Sequence, residues 1–303
     1  MNLYFNEIAG SDSWEIIKPI NKGWSNDKKY YIKTRDGKEL LLRVTDVNQY
    51  ENKKTEFENL KLLTNMDIVM SRPISFGICN ESQSVYSLLT WINGEDAEVM
   101  LTKLDDKEQY ILGTKAGQFL KQIHKISAPK NIPDWTQRFN RKIDMKIADY
   151  ISCGIQLDGA DKIIDYIEQN RSLLTNRPQS FQHGDYHVGN MIITPEKELG
   201  IIDFNRMDYG DPWEEFNRIT WCVDVSPIFA SGYINGYFDN NVPELFFRLM
   251  ALYIANNQIS SIPWAIPFGE KEINTMIEQA QNVLKWYDYF ETYIPSWYMS
   301  SYK

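Results

Sequence analysis

Residues 181–211 read FQHGDYHVGNMIITPEKELGIIDFNRMDYGD. Met191 to Thr194 predicts a short strand, Pro195 to Glu198 a tight turn, and Leu199 to Ile202 the returning strand. Polar groups gather at the two ends of this hairpin. Asp185 and Asn190 precede its first strand and Asp203 follows its second. Antiparallel pairing predicts that Asn190 and Asp203 come close despite their separation in sequence. An amide oxygen and a carboxylate suit a hard cation, with waters and phosphate oxygens completing an octahedron. Asp185 lies in the same loop, placed to accept a hydroxyl proton. Phosphoryl transfer needs this set: a positioned acceptor oxygen, a metal on the phosphates, and cations against developing charge. His183 is suited to hold the loop through a backbone bond, and His187 to do the same or face solvent. His124, at the end of a predicted helix, reads as a packing or capping residue.

Working outward, WEIIKPI (14–20), YYIKT (30–34) and ELLLRVTD (39–46) read as strands, the last two joined by an Asp36-Gly37 turn. Gly23 sits in a polar loop between two strands; the loop lacks GxxxxGK[ST], which disfavours a P-loop nucleotidase. Residues 50–63 carry Phe57, Leu60 and Leu63 at helical spacing, with Glu56 placed to point back toward the sheet. SRPISFG (71–77) and SVYSLLTWING (84–94) complete a small lobe with a hinge at WINGED. Beyond it, 108–125, 138–151 and 160–174 predict helices. The expected class is α+β: a small antiparallel-sheet lobe with one main helix over 1–93, and a larger, mainly helical lobe over 94–303.

The chain has 303 residues, 43% apolar and 24% charged, with a net charge of −9, which excludes a disordered or disulfide-stapled chain and disfavours a nucleic-acid partner. Cys79, Cys153 and Cys222 are far apart and form no CxxC pair, as for buried thiols in a reducing compartment. The N-terminus shows no basic-then-apolar leader, and no apolar run reaches the roughly 20 residues of a membrane span, so a cytoplasmic protein without a membrane partner is expected. Residues 201–303 hold 13 acids and 6 bases among many Trp and Tyr residues. Acids mixed with aromatics suit an ammonium-bearing small molecule, and equally suit a solvated acidic face over an aromatic core. Asp208, Glu214, Glu215, Asp224 and Asp288 are the candidate acids.

HGDYHVGN followed by IIDF resembles the HGDxxxxN and IDF motifs of the aminoglycoside phosphotransferase and choline kinase superfamily, and GDPWEEF is similar to its GDPxxD segment. The resemblance spans about residues 14–290, with only 183–216 specific. It implies a bilobal protein-kinase-like fold in which a small sheet lobe covers ATP or GTP. By position it makes Asp185 the catalytic base and gives magnesium to Asn190 and Asp203. It puts Gly23 in the nucleotide-covering loop, Arg43 where kinases place a phosphate-contacting lysine, and Glu56 as the acidic partner on the helix. The backbone of Leu89, Thr90, Trp91 and Ile92 would face the purine. Arg43 departs from the lysine pattern but stays charged and can clamp two phosphate oxygens. Glu215 stands where the motif has aspartate, and a local structural role is expected for it; Asp211 is expected to fix a helix start. The acceptor implied first is a hydroxyl of a cationic, aminoglycoside-like molecule. Choline, another amino alcohol, homoserine, a sugar or a macrolide are the alternatives, since the motif does not identify the acceptor. A catalytically silent nucleotide-binding protein is the reading from another class. The missing APE segment disfavours a protein-serine kinase, and the oligomeric state is open.

Overall fold

The computed structural model describes residues 5–21 and 27–302. Gly23 lies outside the described residues. The chain divides into two compact units, one of residues 1–96 with 191–207 and one of 97–190 with 208–303.

In the first unit, β1 (Trp14–Ile20), β2 (Lys28–Thr34) and β3 (Glu39–Asp46) form a meander, followed by α1 (Tyr50–Leu62), the short β4 (Val69–Met70), β5 (Pro73–Cys79), β6 (Ser84–Thr90) and β7 (Glu95–Asp96). The five long strands form an antiparallel sheet in the order β1-β2-β3-β6-β5. The turn at Asp36-Gly37 closes with Thr34 N donating to Lys38 O and Gly37 N donating to Thr34 O, both at 2.9 Å, which fixes the β2–β3 register and sets Lys29 opposite Arg43. Alternation along β3 sends Leu40, Leu42 and Val44 into a core with Ile8, Trp14, Ile32, Tyr86 and Leu88, and leaves Leu41, Arg43 and Thr45 on the other face. On α1, Phe57 and Leu60 are buried, with the Phe57 ring 5.5 Å from that of Phe76 on β5. Arg72 fastens the chain after α1 by donating to the carbonyls of Met66 and Ile68 at 3.0 and 2.9 Å.

The second unit opens with α2 (Ala97–Leu101), α3 (Asp106–Ile123), α4 (Trp135–Ser152), α5 (Ala160–Asn170) and β8 (Ser180–Gln182). The expected hairpin follows as β9 (Met191–Ile193) and β10 (Leu199–Ile201), paired antiparallel with Met191 opposite Ile201. It belongs to the first unit, in a small sheet ordered β4-β10-β9-β7. The chain re-enters the second unit at β11 (Asp208–Gly210) and ends in α6 (Ile219–Val225), α7 (Pro227–Tyr237), α8 (Glu244–Ala265) and α9 (Glu270–Trp286). The core gathers Phe139, Ile143, Ile163, Ile167, Leu252 and Leu284 from α4, α5, α8 and α9, with α8 buried along most of its length. Asp105 caps α3 in a capping box with Glu108.

Helices α3 and α7 pack with their backbones nearly touching. Gly113 and Gly117 on α3 and Gly232 and Gly236 on α7 each face a carbonyl of the other helix, and a Cβ added at any of them would lie 2.1–2.4 Å from that oxygen. Among the described residues no helix is long and apolar enough to cross a membrane. The three cysteines are free; Cys79 and Cys222 are buried and Cys153 is half-buried.

Candidate active site

In the second unit the antiparallel pair β8–β11 sets Gln182 opposite Asp208 and Ser180 opposite Gly210, so the HGD loop and the GDPWEE segment leave opposite ends of the pair. The fully buried Asp211 anchors the second segment. Its carboxylate accepts from Arg177 Nε at 2.6 Å and Nη2 at 3.1 Å, from the Tyr253 hydroxyl at 2.6 Å, and from the Trp213 backbone N–H at 3.0 Å. The last bond closes a turn and caps no helix: the 3-10 helix Glu214–Arg218 starts from Trp213 with no side-chain cap, so Asp211 anchors the segment instead of fixing a helix start. The Arg177 guanidinium stacks 4.0 Å from the Trp213 ring centroid.

That anchor lets Glu215 reach the loop. Its Oε2 accepts from His183 N at 2.7 Å and its Oε1 from Gly184 N at 2.8 Å. Glu215 is 2% exposed, so these are charge-assisted bonds in a dry setting. Gly184 has φ +83°, a left-handed conformation that glycine adopts without strain and that turns the next residue, Asp185. His183 is buried, and its Nδ1 accepts from the Asp185 N–H at 3.3 Å, the loop bond expected of it. His124 is a packing residue: it caps α3, its Nδ1 lies 2.9 Å from the Tyr237 hydroxyl, and its Nε2 lies 3.6 Å from Glu215.

The Asp185 carboxylate is held from three sides. Asn190 Nδ2 donates to Asp185 Oδ2 at 3.2 Å and to its backbone oxygen at 2.9 Å. Arg218 Nε lies 3.3 Å from Oδ1, and His187 Nε2 lies 3.7 Å from the same atom. His187 Nδ1 accepts from Gly189 N at 3.1 Å, which leaves the ring proton on Nε2, facing the carboxylate. The amide nitrogen of Asn190 is thus committed to Asp185.

In the first unit Arg43 and Lys29 project from one face of the sheet. Arg43 Nε donates to Asp27 Oδ2 at 2.9 Å, its Nη2 lies 2.6 Å from the same oxygen, and its Nη1 lies 3.2 Å from Asp203 Oδ1. Glu56 takes its hydrogen bonds from Lys53 at 2.9 and 3.1 Å, one turn earlier on α1, and Lys53 also donates to Asp27 at 3.1 Å. Arg43 therefore pairs with Asp27 and Asp203, while Glu56 acts on it through charge alone. Burial works to raise the Asp27 carboxyl, but Arg43 and Lys53 outweigh it and hold Asp27 below its ordinary range. Burial pushes Glu56 up, against the pull of Lys53, and pushes the Lys29 ammonium down, against the pull of Asp203.

Asp203 itself has φ +62°, a conformation Asp tolerates better than most side chains, and its Oδ2 is left outside the Arg43 contact. The Asp203 carboxylate in the first unit and the Asn190 amide oxygen in the second are each hard donors of the kind magnesium takes. Among the described residues no group of three or more His, Cys, Asp and Glu is placed to hold a metal ion. In the stretch expected to face the purine, Thr90 and Trp91 donate their N–H groups to Arg72 and Glu39 at 2.9 and 3.0 Å, and Leu89 lies in the ladder; Ile92 lies beyond it.

Sequence reasoning did not reach Lys29, Asp27 and Lys53. Lys29 was readable by counting outward from the Asp36-Gly37 turn, and Lys53 from its i,i+3 spacing to Glu56. Arg218 carried no such signal, because its contact with Asp185 depends on the turn after β11.

A model of the phosphotransferase enzyme family matches residues 16–247. No curated protein sequence matches the chain. Among solved structures, a thermostable mutant of aminoglycoside phosphotransferase APH(4)-Ia in apo form superposes with a TM-score of 0.68 at 14% identity, covering 92% of this chain and 97% of that one. The GDP complex of wild-type aminoglycoside 2'-phosphotransferase-IIIa gives 0.68 at 12% identity over 93% and 96%. The streptomycin–ATP–APH(2")-IIa ternary complex gives 0.64 at 19% identity over 93% and 97%. These likenesses establish a protein-kinase-like α+β fold. With most of its length matched by the family model, the chain belongs to the phosphotransferase enzyme family.

Proposed function

We propose that the protein is a small-molecule kinase that transfers the γ-phosphate of ATP or GTP to a hydroxyl of its acceptor. The observation that carries this reading is the Asp185 carboxylate, fixed by Asn190, His187 and Arg218 in a loop braced by Glu215. Asp185 takes the hydroxyl proton as the new O–P bond forms and the bond to the β-phosphate oxygen breaks, releasing the nucleoside diphosphate. Arg43, with Lys29 and Lys53, supplies the positive charge that the phosphates require. Asn190 and Asp203 would hold magnesium, which when bound neutralises charge on the phosphates. Ile92, with the backbone of Leu89, Thr90 and Trp91, would face the purine.

An aminoglycoside-like acceptor is supported by the company the fold keeps, since related structures hold gentamicin, streptomycin or hygromycin B. A second class of acceptor is favoured by the cations beside Asp185 and is argued below. The test of the enzyme reading is nucleoside diphosphate release with magnesium and ATP or GTP across amino alcohols, hydroxy acids, sugars, aminoglycosides and macrolides. Release that depends on the acceptor and vanishes in Asp185→Asn supports it. Nucleotide binding with background hydrolysis alone, on every acceptor, refutes it in favour of a binding protein.

A further inference from the structure

The surroundings of Asp185 are positively charged. Arg218 lies against its carboxylate, and next along the same segment Glu214 faces Lys142 and Lys146, which are one turn apart on α4. Three cations thus share the neighbourhood with three carboxylates, Asp185, Glu214 and the buried Glu215. All three carboxylates are engaged: Asp185 by Asn190 and Arg218, Glu214 by Lys142 at 3.1 Å and by Gln182 at 3.4 Å, and Glu215 by the loop amides. Lys146 is left over. Its stem is packed against the protein, among the described residues it has no carboxylate within ion-pair distance, and the charges acting on it are Lys142, Glu214 and Arg218. An ammonium in that setting is short of an anion. Burial, then the two like charges, push its pKa down to about 7, against the pull of Glu214.

The acids that a polycationic acceptor would need are mostly committed. Of the five candidates, Asp208 pairs with Arg138 at 3.2 Å, Glu214 with Lys142, and Glu215 with the loop amides. Asp224 accepts from Gln279 at 3.2 Å, and burial raises its pKa toward the neutral form.

We propose that the acceptor carries an anionic group, a carboxylate or a phosphate ester, seated against Lys146 and Arg218 while its hydroxyl faces Asp185. The inference rests on Asp185 being the base, and it assigns Lys146 as a specificity-determining residue. A cationic acceptor would meet like charge at this position, whereas an anionic one completes the ionic partnership of Lys146 and is held at the reacting carboxylate by opposite charge.

The experiment uses matched sets that differ only in charge: glycerol, glycerate and glycerol 3-phosphate; glucose, gluconate and glucose 6-phosphate; with streptomycin as the cationic member and inorganic phosphate as a bare probe. Diphosphate release gives kcat and KM, and thermal shift of wild type and Asp185→Asn gives binding without turnover. The expected result is stabilisation by the anionic members and by phosphate, and a KM at least about tenfold below that of the neutral counterpart. Lys146→Met raises that KM about tenfold, more than it lowers kcat, and Lys146→Arg restores it. Preference among the two anion types tells a carboxylate acceptor from a phosphate ester. Equal or better binding of neutral members or streptomycin overturns the inference, as does an anion preference that survives Lys146→Met, or the absence of binding by any anionic member. If the anionic members bind through Lys146 but no member of any set is phosphorylated, the anion site stands and the kinase reading fails. Turnover confined to neutral or cationic acceptors leaves the kinase reading standing and removes the anion site.

Discussion

Glu215→Gln isolates the brace under the HGD loop. The substitution keeps the size of the side chain and one oxygen, but glutamate uses both oxygens, at 2.7 Å from His183 N and 2.8 Å from Gly184 N. An amide satisfies one backbone donor and turns its own NH2 toward the other. A hydrogen bond to a charged group contributes about 1.5–3 kcal/mol against about 1 for a neutral one, and a buried N–H left without an acceptor costs about 1–3 kcal/mol. Weakening one bond and losing the other, less what is regained by not burying a charge, comes to roughly 2–4 kcal/mol. A unit of this size shifts in melting temperature by about 2–4 °C per kcal/mol, so a fall of about 5–10 °C is expected. Because Asp185 follows Gly184 directly, a displacement of the loop by about 1 Å would cost turnover on the order of a hundredfold. Nucleotide affinity should hold, since Arg43, Lys29 and Lys53 lie in the other unit. Melting by circular dichroism, with diphosphate release and nucleotide titration, reads all three quantities. A variant that melts within a degree or so of wild type and turns over normally would refute the brace. Glu215→Asp adds a control on length. It retracts the carboxylate by about one carbon–carbon bond, roughly 1.5 Å, so it should resemble Gln even though the family motif places aspartate here.

Asp185→Asn should cut turnover about 10²–10⁴-fold and leave nucleotide binding intact, which single-turnover assays and calorimetry distinguish. Arg43→Lys should weaken nucleotide binding about tenfold through loss of the planar fork; Arg43→Met should also destabilise the first unit by roughly 1.5–3 kcal/mol, read in urea melts, by removing one of the two cations on Asp27 while Lys53 stays at 3.1 Å. Asp27 has a folded pKa below its ordinary 3.8, so its stabilising contribution is present above that pH and is lost as pH falls through the folded value. The stability gap between wild type and Asp27→Asn in urea titrations should therefore narrow below about pH 4. Gly236→Ala places a methyl 2.2 Å from the Thr114 carbonyl oxygen and should cost roughly 3 kcal/mol or more, where the same change at Gly154, with nothing within 4 Å of its Cβ, costs only the strain of its φ of +77°.

What the sequence made legible is local. The Asp36-Gly37 turn, the 191–201 hairpin and the apolar spacing of 108–125 each follow from neighbours a few residues apart, and each element forms within two or three residues of its expected bounds. Helix α4 begins at Trp135, earlier than the expected 138, because Asp134 caps it by accepting from Gln137 N at 3.2 Å. The contacts that organise the site join distant positions. Arg43 meets Asp203 across 160 residues, and Glu215 meets His183 across 32. Glycines four apart on α3 and again on α7 were visible in GTKAG and GYING, but only the helix pairing shows that they answer each other.

The same division separates chemistry from specificity. The residues proposed for γ-phosphate transfer, Asp185, Asn190 and Asp203, lie in one short block of sequence. The residues proposed to face the acceptor, Lys146 on α4 and Arg218, lie outside the 183–216 block that carries the family resemblance. Lys146 is placed by α4 packing on α8 through Phe139 and Ile143, and Arg218 by the turn that Asp211 anchors. Acceptor charge can therefore change without touching the transfer machinery, and the −7 carried by residues 201–303 is a poor guide to it. A field at Asp185 is set by the few groups beside it, and distant surface acids are screened beyond roughly 10 Å of salt solution. If that argument is right, replacing exposed acids such as Asp288 by Asn should leave acceptor preference unchanged, while the single change Lys146→Glu should invert it from anionic toward cationic acceptors. A preference that follows the exposed acids, measured as the ratio of kcat/KM for glycerol 3-phosphate and streptomycin, would put specificity in the long-range field instead.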